Sequence, residues 1–318
     1  MDLLNFICPV TKQSLHQSKN TLIADKICHE IKDYIPRFVA SDNYAKAFGL
    51  QWNTFKLTQF DSYTNSPVTE KRLEQAFGQP LSSLSGKRIL EAGSGAGRFT
   101  EILLKYGAHV YSFDFSNAVE ANYENNMPNE KLTLFQADIE SIPFQNDFFD
   151  VALCLGVLQH TPSTRSSLQE LSRVLKPEGE LVCDHYKYHR GMFTSCYLIW
   201  WFIIKQFDSV RQLQITDWLT GFFFPIHWKF RDNWFAQILL RRISPINFYY
   251  GRYDLPKTIH YEWSLLDTHD RNTDHYKRHV TQQGFEKILQ SLGYAKYSVF
   301  VGGTGYVCRA IKELNDAE

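Results

Sequence analysis

Three glycines and two acids are the residues whose types and spacing suggest chemistry. Gly93, Gly95 and Gly97 fall in the run Glu91-Ala92-Gly93-Ser94-Gly95-Ala96-Gly97. Glycine adopts left-handed dihedrals at no steric cost, so such a turn lets backbone come close to a ligand. The helix after such a turn favours an anion or carboxylate at its N-terminus. Asp114 stands 21 residues after Gly93, where a carboxylate can accept hydrogen bonds from two ribose hydroxyls. Asp138 comes next and could accept from an adenine amino group. Taken singly, these features have plain explanations: a tight turn, a helix cap, a solvated loop acid. Together and in order, each at a strand end, they describe one nucleoside-shaped site. Position 98 is Arg98 rather than glycine, so the run is not the G-x-G-x-x-G dinucleotide fingerprint, and no Gly-Lys-Ser/Thr follows to make a P-loop.

These residues need a scaffold that brings strand ends together. Arg88–Ala92 reads as a short buried strand, and Phe99–Tyr106 as a helix ended by Gly107. His109–Phe113 is a second strand, with Ser116 a candidate cap for the helix after it. Leu132–Ala137 and Phe149–Leu155 are a third and fourth strand. Thr164–Leu175 is a helix stopped by Pro177 and Gly179, and Glu180–Asp184 a fifth strand. Alternating strands and helices imply a parallel, doubly wound α/β sheet, whose ligand sits at the carboxyl ends of the strands. Thr281 reads as the cap of a helix to Leu292. Tyr294–Val301 and Tyr306–Lys312 read as a closing hairpin around Gly302-Gly303-Thr304-Gly305.

Composition sets the outer limits. The chain has 318 residues, 44% hydrophobic and 21% charged, which is enough to bury a core and too ordered a composition for whole-chain disorder. Lys plus Arg and Asp plus Glu are both 34, so no global charge argues for a nucleic-acid partner. Six scattered cysteines and an N-terminus without a signal-peptide pattern point to reduced thiols in a cytoplasmic protein. The longest apolar run, Met192–Ile204, is shorter than the ~18 residues of a membrane span.

The segments ILEAGSGAGRFT (89–100), VYSFDFS (110–116), LFQADIESIPF (134–144), FFDVALCLGVLQHTPS (148–163) and LQELSRVLKPEGELV (168–182) resemble the class I S-adenosylmethionine-dependent methyltransferases. The similarity is to the small-molecule type related to the ubiquinone-pathway enzymes. It implies a Rossmann-like seven-stranded sheet of six parallel strands and an antiparallel last strand, with S-adenosylmethionine as cofactor. It also implies roles. Glu91, Gly93 and Gly95 would hold the amino-acid end, Asp114 the ribose, and Phe115, Asp138 and Ile139 the adenine. Leu155 and His160 would stand by the methionine portion. The flanks, Ile35-Pro36-Arg37-Phe38-Val39 and Phe48-Gly49-Leu50-Gln51-Trp52-Asn53, resemble a narrower bacterial branch found with sugar-modifying or envelope-building enzymes. That branch begins with a zinc-ribbon-like module, which here has Thr11 in place of a second cysteine. Cys8, Cys28 and His29, with or without His16, fall short of four tetrahedral ligands, so no metal is expected.

The resulting division is 1–40 for the degenerate ribbon-like module and 41–86 for a helical linker or lid, with Gln51, Trp52 and Phe60 closing over the cofactor. Residues 87–186 and 264–318 form the cofactor-binding core, and 187–263 an aromatic helical insert. An oxygen nucleophile needs a general base, for which the candidates are His160 after the fourth strand and His185 after the fifth. Asp184 is a third candidate, or orients His185 or a substrate hydroxyl. Tyr261–Asp270, with His269, could reach over the substrate mouth, or it could be a capped, solvated helix start; His260 and Tyr261 are weaker candidates. The insert holds six of the seven tryptophans, at 200, 201, 218, 228, 234 and 263. Residues 190–263 carry nine basic and five acidic side chains. Three readings stay open: a lid packing on a sugar or aromatic acceptor, an interfacial surface (192–228) on an anionic membrane at the inner face, or a plain aromatic core. A homodimer contact is a further use of exposed aromatics. The expected activity is O-methylation of a saccharide or other small metabolite. Its rivals are N- or C-methylation of another acceptor, including a lipid-linked glycan, and a non-catalytic cofactor-binding partner protein.

Overall fold

A computed structural model describes residues 5–40, 42–188, 196–303 and 305–313. The elements run in chain order as follows. Four short strands come first: β1 (His16–Ser18), β2 (Thr21–Ala24), β3 (Ile27–Lys32) and β4 (Ile35–Arg37). Helices α1 (Lys46–Thr54), α2 (Asp61–Thr64) and α3 (Val68–Phe77) follow. The alternating core is β5 (Arg88–Ala92), α4 (Arg98–Lys105), β6 (His109–Asp114), α5 (Ala118–Asn126), β7 (Leu132–Gln136), β8 (Phe149–Cys154), α6 (Thr164–Val174) and β9 (Leu175–Tyr186). Then come α7 (Tyr197–Ile204), α8 (Ser209–Lys229), α9 (Trp234–Ile243), α10 (Lys257–Thr273), α11 (Gln282–Ser291), β10 (Lys296–Gly302) and β11 (Gly305–Ile311).

Strands β5 to β8 are runs of apolar residues because helices cover both faces of the sheet. One face buries Phe113, Phe135, Phe144, Leu171 and Phe285. The other buries Leu73, Phe77, Phe99, Ile102 and Leu103. Helix ends follow local chemistry: Ser163 accepts from the Ser166 N–H to start α6, and Thr281 accepts from the Gly284 N–H to start α11. Ser116 accepts from the Ala118 N–H at 3.1 Å, although the N-cap of α5 is Asn117.

Among the described residues the sheet has eleven strands rather than seven, in the order β1-β2-β3-β4-β7-β6-β5-β8-β9-β11-β10. The seven expected strands are β5 to β11; β11 runs antiparallel to β9 and β10, and the rest share one direction. The other four come from the N-terminal hairpins. Strand β4 lies parallel to β7 with Arg37 opposite Gln136. The Arg37 guanidinium donates to Gln136 Oε1 and Glu120 Oε1, both at 3.1 Å, and Phe6 packs on Phe135 and Phe144. Residues 5–40 therefore continue the sheet instead of standing apart; residues 1–4 of that expected module lie outside the described residues. Among the described residues no group of three or more His, Cys, Asp or Glu is placed to hold a metal ion. Cys8 Sγ lies 3.6 Å from His29 Nε2, and Cys28 is exposed.

The 187–263 region is mostly helical and has a small core of its own around Ile204, Leu219, Phe224 and Ile246. The boundary expected at 263 falls inside α10, which runs unbroken from Lys257 to Thr273. Residues 189–195 of the expected insert, Arg190 and Met192 among them, and Thr304 of the closing hairpin lie outside the described residues. No described helix is long and apolar enough to cross a membrane.

Candidate active site

A cavity of about 1330 Å³ opens at the carboxyl ends of the parallel strands. Gly93, Gly95, Asp114, Phe115, Asp138, Ile139, Leu155 and His160 all line it, although they come from four different strand ends. The glycine loop is shaped for this approach. Gly95 has φ +54°, and a Cβ there would sit 2.9 Å from the Trp52 ring. Gly97 has φ +91° as the residue before α4, and a Cβ there would run into the Asn122 side chain.

Asp114 is aimed by its neighbours. The Gly95 N–H donates to Oδ2 at 3.0 Å, and the Ser116 N–H and hydroxyl donate to Oδ1 at 2.8 and 2.7 Å. Burial nonetheless holds its carboxyl above the ordinary range, against those hydrogen bonds. The Tyr44 ring lies 4.8 Å from Phe115 at an interplanar angle of 31°. Asp138 Oδ1 accepts from the Glu140 N–H at 2.8 Å, which steadies the turn after β7.

His160 stands on the cavity wall beyond β8. Its Nδ1 is 3.2 Å from the Tyr276 carbonyl and 3.4 Å from Asp274 Oδ2, and Phe48 and Tyr186 pack edge-on against the ring. Burial opposes a charge on the imidazole. The Asp274 hydrogen bond and the charges of Asp270 and Asp274 outweigh it and raise the pKa above its usual value. With Nδ1 held this way, Nε2 is the ring nitrogen left for the cavity.

Other candidates do not reach the cavity lining. Glu91 is buried in β5, where the Thr100 and Ser112 hydroxyls donate to Oε2 at 2.5 and 2.8 Å while Oε1 has no partner. Burial pushes its carboxyl up to about 7. Asp184 is wholly buried; Arg72 donates to Oδ2 at 2.8 Å and the Gly156 N–H to Oδ1 at 2.6 Å. His185 points from the opposite face of β9, with Nε2 3.0 Å from Thr164 Oγ1 and its ring on Phe285. Burial lowers its pKa to about 4, so it is a neutral core histidine rather than a base on the cavity wall. His269 is also turned inward, with Nδ1 2.8 Å from Gln51 Oε1, and burial lowers it to about 4. His260 and Tyr261 line no part of the cavity.

The Tyr261–Asp270 segment is the middle of α10 rather than a helix start. Trp263, Asp267 and Asp270 point from it into the cavity. Burial pushes Asp267 up to about 6 and raises Asp270 as well. Trp52 and Phe60 of the expected lid line the cavity, whereas Gln51 is buried against His269. Residues that sequence reasoning missed are Arg72, Arg98 and Asp274. Arg72 and Arg98 line the cavity, and burial lowers Arg98 to about 10. Asp267 and Asp270, three apart on α10, with Asp274 just past its end, were a usable signal.

Residues 90–183 match the family model described as a methyltransferase domain. A ubiquinone biosynthesis O-methyltransferase of Coxiella burnetii is 30% identical over 118 residues, which cover 36% of this chain and 48% of that protein. An O-methyltransferase of Aspergillus nomiae is 30% identical over 36% of this chain and 53% of its own length. A demethylmenaquinone methyltransferase of Clavibacter sepedonicus is 33% identical over 32% of this chain and 42% of its own. The chain spans about half the length of the curated relatives it matches. Among solved structures, an S-adenosylmethionine-dependent methyltransferase of Methanosarcina mazei covers 73% of this chain and 94% of its own at 17% identity and a TM-score of 0.41. Residues 90–183 of this chain thus match a methyltransferase domain.

Proposed function

We propose that the whole chain is an O-methyltransferase acting on a hydroxyl of a polar small molecule, with His160 as general base. One observation carries the reading: His160, oriented by Asp274, lines the same cavity as the glycine loop, Asp114 and Asp138. The donor set fits S-adenosylmethionine. Asp114 would take the ribose hydroxyls, Phe115 and Ile139 the faces of the adenine, and Asp138 its amino group. Gly93 and Gly95 would admit the amino-acid end, and Leu155 the methionine portion. Glu91 would act indirectly, by tying the Thr100 and Ser112 hydroxyls on either side of the loop. Bound there, the cofactor supplies a methyl group on a sulfonium.

The chain's own residues align and deprotonate the acceptor. His160 takes the proton of the acceptor hydroxyl at Nε2, and Asp274 stabilises the imidazolium that forms. Tyr44, Phe48 and Trp52 wall the cavity with rings and keep water away. The acceptor side mixes charge with aromatic surface. Gln59, Arg72, Arg252, Asp267 and Asp270 line it, and Tyr253 stacks on Trp263 at 5.0 Å. Donors, acceptors and a ring face together suit a saccharide or a similarly hydroxylated metabolite.

The test is methyl transfer from labelled cofactor to a panel of hydroxylated acceptors. For an accepted substrate, kcat falls as pH drops through the raised pKa of His160, because the protonated ring cannot take a proton. His160→Gln lowers kcat by about 10²- to 10⁴-fold. Asp274→Asn moves the acid limb to lower pH by removing one of the two carboxylates that raise the pKa. His185→Gln leaves the limb in place. A His160→Gln enzyme with undiminished kcat would remove His160 as the base.

A further inference from the structure

We propose that the outward face of α7, α8 and α9 docks the protein on an anionic lipid bilayer. Helix α9 is turned inside out for a buried helix. Gln237 and Leu240 face inward, whereas Trp234 is 76%, Phe235 65% and Ile243 63% exposed. Phe235, Leu239 and Ile243 are one helical turn apart and form a row, with Trp234 and Ile238 beside it. Helix α7 repeats the arrangement, with Ile199 64% and Phe202 65% exposed. On α8, Trp218 and Phe222 are exposed and stacked at 6.1 Å.

The three helices adjoin at their ends. The Cys196 N–H donates to the Arg242 carbonyl at 3.0 Å, which puts the start of α7 beside the end of α9. Gln237 donates to the His227 carbonyl at 2.9 Å and accepts at Oε1 near His227 Nδ1, also at 2.9 Å, which ties α9 to the end of α8. Exposed large apolar side chains gathered on three neighbouring helices mark a surface that something covers.

Charge selects the occupant. The whole chain has no net charge, yet residues 197–243 hold five basic side chains outside the cavity lining (Lys205, Arg211, Lys229, Arg231, Arg242) against three acids. Each acid is engaged: Asp208 caps α8, Asp217 bonds Tyr261, and Asp232 lies 3.5 Å from Arg231. Two copies of a cationic patch repel each other, whereas anionic headgroups neutralise it. Tryptophan and phenylalanine among lysines and arginines is the make-up of a surface that lies in the headgroup zone. The sequence confined the membrane contact to 192–228; α9 carries it on to Ile243. Tyr197 of α7 and Arg241 of α9 also line the cavity, so a docked protein holds the cavity at the bilayer, where a lipid-linked acceptor would lie. Docking itself is independent of the methyl-transfer reading, and its test needs no acceptor.

The test is co-sedimentation of the full chain with two vesicle preparations: phosphatidylcholine alone, and phosphatidylcholine mixed with phosphatidylglycerol. Mixed vesicles should bind at least about tenfold more tightly at low salt, lose most of that at high salt, and shift tryptophan emission to the blue. The double variant Trp234→Ser/Phe235→Ser and the separate variant Trp218→Ser should each weaken binding while retaining the wild-type circular dichroism and melting temperature. Absence of binding to mixed vesicles at low salt would overturn the proposal. So would binding that both variants leave unchanged, or a concentration-dependent dimer that the same variants abolish in place of vesicle binding.

Discussion

Burial, more than residue type, sorts the ionisable side chains of this protein into roles. Asp114 and Glu91 are both acids of the cofactor half, but one lines the cavity and the other is sealed in β5 with one oxygen unpartnered. Glu91 therefore carries a testable stability signature. Its carboxyl sits at about 7 in the folded chain against an ordinary 4.5, so the native state keeps a proton that the unfolded chain gives up. Stability then falls as pH rises from about 4.5 to 7. Glu91→Gln removes that loss, so its unfolding free energy, read by chemical denaturation, should gain on the wild type across this window by up to about 3 kcal/mol and keep a constant lead above it. An equal difference at pH 5 and pH 8 would contradict the assigned burial cost. The same sorting explains why His185 looked like a base. Both faces of β9 are buried, so the sequence carries no polar–apolar alternation to say which face points to the ligand. Asp184 lies just beneath the cavity wall, bonded to its lining residues Arg72 and Gly156, whereas His185 lies behind the sheet.

At the scale of elements, what was legible had a local signal. Strands β5 to β8 are short, mostly buried segments closely followed by glycine or an acid, and α6 and α11 announce themselves by Ser163 and Thr281. Gly97 belongs to the same class of signal. Its φ of +91° and the Asn122 side chain beside it leave no room for a methyl group. Asn122 also donates to the Thr100 and Ser112 hydroxyls at 3.0 and 3.1 Å, which in turn hold Glu91. Gly97→Ala should thus cost about 1–3 kcal/mol of stability, read as a lower melting temperature; an unchanged one would show that the loop tolerates the strain. The N-terminal strands had no comparable signal. Their hairpin pattern was visible, but β4 finds its partner 99 residues away at Gln136, and nothing local encodes which sheet edge a strand joins. The full length of α10 was hidden in the same way. Asp274, the residue just after its end, meets His160, which is more than a hundred residues earlier in the chain.

The whole molecule assembles its site from distant stretches of chain. Tyr44 to Arg72, Gly93 to Phe115, Asp138 to His160, and Arg241 to His279 all contribute walls to one cavity. Only the middle two were legible in detail, since each is a strand end with its own motif. The outer two close the cavity through tertiary contacts such as Gln51 with His269 and Gln59 with Asp267. A ligand that bridges these walls binds the folded chain alone and stabilises all of it. The most direct measurement of the central claim is calorimetric titration of the purified full chain with S-adenosylhomocysteine, repeated on Asp114→Ala. The wild type should bind one equivalent in the micromolar range, and the variant, folded by circular dichroism, should bind at least about 100-fold more weakly, as expected for losing hydrogen bonds to a buried carboxylate. A folded wild-type chain that binds nothing, or a variant that binds as tightly as the wild type, would contradict the placement of the cofactor.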